Sequence, residues 1–427
     1  MAALPLFLTF IVLLFLGIPV AISIGVASLV QLLVKGDLSL IIITQRMTNG
    51  LDSFPFLAIP LFILAGQLMN RAGITDRIFE FALSLVGHIR GSLGHVNVLA
   101  SIIFAGMSGV AQADTAGLGA IEIDAMVKAG YEKPFSAAIT AVSSIIGPLI
   151  PPSVLMAIFS VITEISLGRL FLAGFIPGLI MGLSQMVLIY YLARKGKVKG
   201  AIRERAPFKT IIQKFFIAFP SLLTPIILVA GMLAGAATPT ELGALCVVYG
   251  IILAAFYKKL KISILVEIFR ESLLMMGVLV FIIACAFPFG WVVTINDIPT
   301  VLANLMLSLS TNKWLILLLV NILLLFLGSF METTAIVLIM TPVLYPLMLK
   351  LGVEPVHFGL IMVTNLLIGA VTPPFGVCLF IVTDITEVPF SRVVQATIPF
   401  LIPLLVTLFL ITYVPQLVLF LPNLLFR

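Results

Sequence analysis

The sequence predicts an all-α integral membrane protein of two inverted repeats, each holding a re-entrant helical hairpin and a transmembrane helix broken at a Pro-Pro pair. Three observations predict it. The composition is one that only lipid can solvate. A glycine and Pro-Pro pattern recurs in register across the middle of the chain. Two polar tips are flanked by apolar arms too short to span a bilayer.

Of 427 residues, 61% are apolar and only 10% are charged, where a soluble domain is about a quarter charged. Such a chain cannot cover its surface with charge, so the lipid bilayer is its solvent. A span needs about 20 apolar residues, and Leu4–Val34, Leu170–Leu192, Phe216–Leu233, Leu273–Phe289 and Val394–Leu421 qualify. Others, such as Leu242–Phe256, are shorter. The first run lacks a basic lead-in and a small-residue cleavage site, so it reads as a retained span and not a signal peptide. Lys35 and Arg46 follow it, and the positive-inside rule then sets the N-terminus outside and the first loop in the cytoplasm.

The net charge of +6 is no sign of nucleic-acid binding, because the basic residues gather in loops. Arg194, Lys195, Lys197, Lys199, Arg203, Arg205, Lys209 and Lys214 face the single acid Glu204 in the 194–214 stretch, which reads as a solvated cytoplasmic loop. Cys246, Cys285 and Cys378 sit singly in apolar runs and suggest neither disulfides nor a metal cluster. There is no GxxxxGK[ST] loop and no HExxH, and His88, His95 and His357 lack metal-ligand spacing. An enzyme is therefore not expected, nor an organic cofactor.

The repeat is read from punctuation. Gly130-Tyr-Glu-Lys-Pro-Phe leads into Gly147-Pro-Leu-Ile-Pro151-Pro152-Ser153, and Gly352-Val-Glu-Pro-Val-His leads into Gly369-Ala-Val-Thr372-Pro373-Pro374-Phe375. Gly130, Glu132, Ile139, Ile146, Gly147, Pro151 and Pro152 all meet their own kind at one constant offset, without a gap. Residues 1–200 form the first repeat, 201–214 a basic linker and 215–427 the second repeat. Two prolines in succession break a helix, yet apolar residues continue on both sides of each pair.

A polar interruption precedes each break. The first, near 106–116, contains Ser108, Gly109, Gln112, Asp114 and Thr115; the second, near 328–335, contains Gly328, Ser329, Glu332, Thr333 and Thr334. At about 1.5 Å per residue most of the flanking arms fall short of the ~30 Å hydrocarbon core. Short arms around a Gly-rich polar tip describe a re-entrant hairpin better than two full spans with a surface loop. Irregular backbone at that depth must face protein or a water-filled cavity.

Broken helices expose carbonyls on one half and N–H groups on the other. Secondary transporters bind substrate and coupling ion at such places. Carbonyl oxygens suit Na⁺, and helix N-termini suit an anion. The candidate Na⁺ ligands are Ser108, Gly109, Asp114, Thr115, Gly147 and Pro151 in the first half. In the second they are Gly328, Ser329, Glu332, Thr333, Thr334, Gly369 and Thr372. Gln112, Pro152, Ser153 and Pro374 are the candidate substrate contacts. Asp114 and Glu332 could ligate Na⁺, carry a proton, or pin their hairpins through backbone N–H groups. Glu164 and Asp384, with Arg169 and Arg392 downstream, read as salt-bridged interfacial residues. Thr372 offers a hydroxyl where Ile150 cannot, so the two breaks need not be equivalent.

At these residues the chain resembles a known family. Asp52-Ser-Phe-Pro-Phe-Leu-Ala-Ile-Pro-Leu-Phe-Ile-Leu-Ala-Gly66-Gln-Leu-Met69 resembles the signature of the large membrane subunit of TRAP (tripartite ATP-independent periplasmic) transporters. Met126–Tyr131 through Ile150–Val154, Ala237–Glu241 and Thr372–Gly376 are similar to the same family. The resemblance implies Na⁺-driven uptake of an organic acid anion, of the sialic acid or C4-dicarboxylate class, across the bacterial inner membrane. It implies two partners, a small four-helix membrane subunit and a periplasmic substrate-binding protein. It also implies an elevator fold, in which a hairpin-bearing domain slides against a scaffold. A stand-alone ion-coupled transporter of related fold is the alternative.

Overall fold

Backbone broken inside a bilayer has to be wrapped by protein, and the chain is layered accordingly. The computed structural model describes residues 4–36, 38–52, 54–198, 204–259, 261–310 and 312–426; Ser53 of the family signature and residues 199–203 of the basic stretch lie outside them. The first half runs α1 (Leu4–Phe15), α2 (Val20–Lys35), α3 (Ile41–Leu51), a 3-10 turn, α4 (Ala58–Arg71) and α5 (Ile74–Val86). It continues with α6 (Ser92–Ser108), α7 (Ala111–Ala116), α8 (Leu118–Lys128), α9 (Lys133–Ser144), α10 (Val154–Thr163) and α11 (Leu167–Arg194). The second half runs α12 (Phe208–Leu233), α13 (Pro239–Phe256), α14 (Ile262–Ile295), α15 (Ile298–Leu309) and α16 (Lys313–Gly328). It ends with α17 (Thr333–Lys350), α18 (Pro355–Gly369), α19 (Val377–Thr386), α20 (Phe390–Tyr413) and α21 (Pro415–Leu425).

Set side by side, the halves correspond in order, although α7–α8 stand opposite the single α17 and α21 has no counterpart. α2 and α13 both start at a proline, α6 and α16 are first hairpin arms, and α9–α10 and α18–α19 are the broken helices. α14 is a single helix of 34 residues where the first half has α3 and α4, parted at Asp52. The basic stretch is divided in the same way. Arg194 ends α11, and Lys209 and Lys214 already ride on α12, where Lys214 Nζ meets Glu80 of α5 at 2.9 Å.

Seven helical stretches among the described residues are long and apolar enough to cross a membrane. Burial separates them by role. The most apolar window of Lys133–Thr163 is 89% buried, against 28% for Phe208–Leu233. The broken helix is thus the core, and α12 lies at the surface of the chain. In α18 every residue from Val356 to Gly369 is buried.

α14 serves as a ruler for orientation. Near its N-terminal end, Arg71 at the close of α4 meets Glu267 and Glu271 at 3.4 and 2.9 Å. Lys259, just past α13, lies beside Gly73 there. Near its C-terminal end, Phe7 and Phe10 pack on Phe289, and Arg46 lies over Trp291. The α12–α13 pair therefore opens at one end of α14 and the equivalent α1–α2 pair at the other, so the repeats are inverted.

This placement corrects one expectation. Leu4–Val34 is not a single crossing but a helical hairpin, turned where Gly17 takes φ +76° and Pro19 starts α2. The Leu6 N–H donates to Gln31 Oε1 at 3.1 Å, so Lys35 returns to the end where Leu4 lies. The orientation argument built on Lys35 following one span loses its premise. Val394–Leu421 likewise divides, at Val414.

The halves also exchange partners. α10 packs against α17 and α19 against α7, while α2 lies on α14 and α13 on α4. At the crossing of α16 and α18, Gly328 and Gly369 meet backbone to backbone, and a Cβ on Gly369 would lie 2.6 Å from the Gly328 Cα. Overpacking a filled core costs about 1–3 kcal/mol. Gly369→Val should therefore lower the thermal unfolding midpoint in detergent by several degrees. Gly277→Ala, in open space on α14, should leave it unchanged or raise it, since alanine gains about 0.8–1 kcal/mol over glycine in a helix.

Candidate functional site: two hairpin tips against two helix breaks

α6 ends at Ser108, Gly109 turns the chain in the left-handed region (φ +67°), and α7 starts at Ala111. Only a residue without a Cβ fits, because a Cβ there would come within 2.7 Å of the Pro152 carbonyl oxygen. The Gly109 carbonyl accepts from the Val154 N–H at 3.3 Å. In the other half the Ser329 carbonyl accepts from the Phe375 N–H at 3.1 Å. Each tip thus satisfies a backbone group freed by its own break. Both breaks carry a cis peptide, Pro151-Pro152 and Pro373-Pro374.

Buried amides and hydroxyls hold the arms to the broken helices. Asn97 Nδ2 donates to Thr140 Oγ1 at 2.7 Å, and Ser143 donates to Asn97 Oδ1 at 2.6 Å. In the second half Asn365 Nδ2 donates to Asn321 Oδ1 at 2.7 Å, and Asn321 Nδ2 donates to Thr412 Oγ1 at 3.0 Å. The two networks sit at equivalent places in the repeats, about a helical turn before Gly147 and Gly369.

The predicted ion-site residues divide by environment. Asp114 is 4% exposed and its carboxylate lies over Gly147, so any larger residue at 147 would displace it. Thr115 is buried, donates to the Ala111 carbonyl (2.8 Å), and stands 2.6 Å from Ser144 Oγ. The side chain of Ser108 lies outside the described residues. In the second tip Glu332 caps α17. Its Oε2 accepts from the Ala335 N–H at 2.9 Å, and its Oε1 accepts from the Thr334 and Thr333 hydroxyls at 2.8 and 3.2 Å. Thr372 donates to the Ile368 carbonyl at 2.7 Å, so its oxygen remains an acceptor. Ser329 donates to the Phe326 carbonyl at 2.8 Å.

A cavity of about 470 Å³ lies between the tips. Gly109, Gln112, Glu332, Thr333 and Thr334 line it, with Pro148, Val154, Leu367 and Ala370 from the breaks. Its far wall is one apolar face of α14: Leu274, Met275, Val278, Leu279 and Ile282. A second chamber of about 400 Å³ shares Val110, Gln112 and Met275 with it and reaches Gln67, Asn70, Arg71 and Glu271 toward the N-terminal end of α14. Among the described residues no basic side chain lines the central cavity. The Gln112 side-chain amide is a donor on its lining, while the Val154, Met156 and Ala335 N–H groups at the starts of α10 and α17 are already taken by Gly109, Ser153 and Glu332.

Of the predicted substrate contacts, Gln112 lines both chambers. Ser153 is fully buried and accepts the Met156 N–H as the cap of α10. Pro152 is buried behind Gly109, and Pro374 is exposed. The α14 wall escaped sequence reading because a cavity face and a lipid face of one long apolar helix look alike. Asn97 and Asn321 left a readable signal, a single amide in each first arm. Arg169 reaches Glu354 of the other half at 3.6 Å and not Glu164; the loop after α10 turns Glu164 outward in the left-handed region (φ +57°).

Inverted repeats, paired hairpins and one cavity between their tips define a polytopic membrane transporter. The chain belongs to the DctM component family of the tripartite ATP-independent periplasmic transporters, whose profile matches residues 7–417. It is 43% identical over 417 residues to the sialic acid TRAP transporter large permease protein SiaM of Vibrio cholerae, covering 96% of each chain. It is 39% identical over 402 residues to the C4-dicarboxylate TRAP transporter large permease protein DctM of Pseudomonas aeruginosa, covering 94% of each. These relatives are transporters, not enzymes. The crystal structure of the Alcanivorax borkumensis YdaH transporter shares the fold, with TM-score 0.60 at 13% identity over 87% of this chain and 86% of that one.

The Glu332 cap gives a direct test of the second tip. Losing a side-chain cap costs about 0.5–2 kcal/mol. Glu332→Ala should lower the unfolding midpoint measurably in detergent, with Glu332→Asp recovering part of the loss.

Proposed function

We propose that the chain is the large permease subunit of a Na⁺-coupled importer of an organic acid anion, working by an elevator movement. The observation that carries the reading is the central cavity, where both tips and both breaks converge on one space. Carbonyls of the tips, the Thr115, Thr333, Thr334 and Thr372 oxygens and the Asp114 and Glu332 carboxylates are hard oxygen donors of the kind Na⁺ takes. A cation held at the tips would supply positive charge that the cavity wall lacks. The anion and the ion would then need each other, which is coupling in its simplest electrostatic form. The sliding body would be the two hairpins with the broken helices. The scaffold would be α2–α4 with α12–α14, whose smooth apolar α14 face offers no polar group to hold the moving cavity at one height.

The named relatives make the sialic acid or C4-dicarboxylate class the first to test. A small four-helix membrane subunit and a periplasmic substrate-binding protein are the proposed partners. The bacterial inner membrane is the site of action, with the basic 194–214 stretch cytoplasmic. With that orientation Leu4 and Lys35 would lie together on the periplasmic side, and the second chamber would open to the cytoplasm.

In liposomes carrying the chain and both partners, uptake should require an inward Na⁺ gradient; equal uptake without Na⁺ would falsify the coupling. Alanine at Ser108, Thr115, Thr333 and Thr334 together should weaken the Na⁺ dependence, and an unchanged Na⁺ response sinks the assignment of those hydroxyls. For topology, Lys35→Cys should react with an impermeant thiol reagent from the periplasmic side and Lys209→Cys only after the membrane is opened. The reverse pattern overturns the orientation.

A further inference from the structure

We propose that Arg46, lying over Trp291, is a receiving site for a carboxylate anion on the periplasmic side of the transport path. The inference rests on the elevator reading above. Arg46 stands with its Cζ 5.1 Å from the Trp291 ring centre, borders a cavity of about 260 Å³, and makes no salt bridge among those of the described residues. Arg46 is exposed beside this cavity, where its guanidinium can meet a carboxylate from solution. The charge is also on the unexpected side. Lys35 and Arg46 lie near the C-terminal end of α14, away from the basic 194–214 stretch, against the bias that keeps such residues cytoplasmic.

Position along α14 gives the charge its use. The wall of the central cavity is the α14 face that carries Met275, Leu279 and Ile282. The same face continues, at helical spacing, through Ala286, Gly290 and Thr294, and these line the Arg46 cavity. From Ile282 to Gly290 is about 12 Å of helix. The opposite wall of the Arg46 cavity is already the mobile side, with Ile162 of α10 and Leu338 and Pro342 of α17. A slide of the hairpins toward the C-terminal end of α14 carries the cavity from a wall with no cation to one with a guanidinium beside it. Arg46 donates a planar fork suited to a carboxylate, and Trp291 keeps it extended over the path. The site loads the anion from one side only. When the cavity returns, the anion leaves the arginine behind.

The test uses the full complex in liposomes, with sialic acid and succinate as the probe anions and wild type run in parallel. Arg46→Gln should raise the KM for uptake from the periplasmic face about tenfold for the anion that wild type transports. The Na⁺ dependence and the KM for exchange from the cytoplasmic face should stay unchanged. Arg46→Lys should retain most of the wild-type KM. An unchanged uptake KM in Arg46→Gln, equal damage to both directions, or Lys faring no better than Gln overturns the proposal. Absence of Na⁺-driven uptake in wild type is instead a failure of the transporter reading, and the two results are separable.

Discussion

The structure depends on one constraint, that backbone freed inside a membrane must find partners within the protein. Two helices are broken at depth by Pro-Pro pairs, and each break leaves groups that lipid cannot satisfy. The hairpin tips answer this need, the Gly109 carbonyl for Val154 and the Ser329 carbonyl for Phe375. Everything around them follows. The tips must reach the middle of the protein, and of their arms α6 and α16 run 17 and 16 residues while α17, at 18, is long and apolar enough to cross a membrane. The arms must be fixed against the broken helices, so Asn97 and Asn321 are spent on buried hydrogen bonds. The broken helices must be covered, and α9, α10 and α18 are buried along most of their length, while Pro374, Phe375, Phe380 and Asp384 at and after the second break stay exposed.

That packing leaves a cavity between the tips, and its chemistry is uneven. On the hairpin side are Gln112, the Thr333 and Thr334 hydroxyls and the Glu332 carboxylate; on the other side is a plain apolar face of α14. The same contrast explains why charge appears at the two ends of that face and not along it, Arg71 with Glu267 and Glu271 at one end and Arg46 at the other.

Much of this was legible in the sequence, because glycine and proline act through sterics that need no tertiary context. The register of Gly147-Pro151-Pro152 with Gly369-Pro373-Pro374 located both breaks, and the polar interruptions located both tips. What failed was the reading of long apolar runs. Leu4–Val34 is uniformly apolar, and the turn at Gly17–Pro19 is marked only by residues that many membrane helices tolerate. Which face of α14 meets the cavity was equally hidden, since lipid and an apolar cavity select the same side chains. Arg169 joins Glu354 across the repeat boundary, a pairing that nearness in sequence to Glu164 could not suggest.

The exchange of partners between halves has a consequence for the order of synthesis. α7, which carries Asp114 and Thr115, finds its covering helix only when α19 has been made, and α10 must wait for α17. A ribosome delivering this chain leaves the first hairpin in the membrane with its polar tip unsheathed while more than half of the polypeptide is still to come. The first half is therefore a folding debt that only the last third of the gene discharges. Truncations that remove α19 leave the face of α7 that packs on it without its partner, beside Asp114 and Thr115.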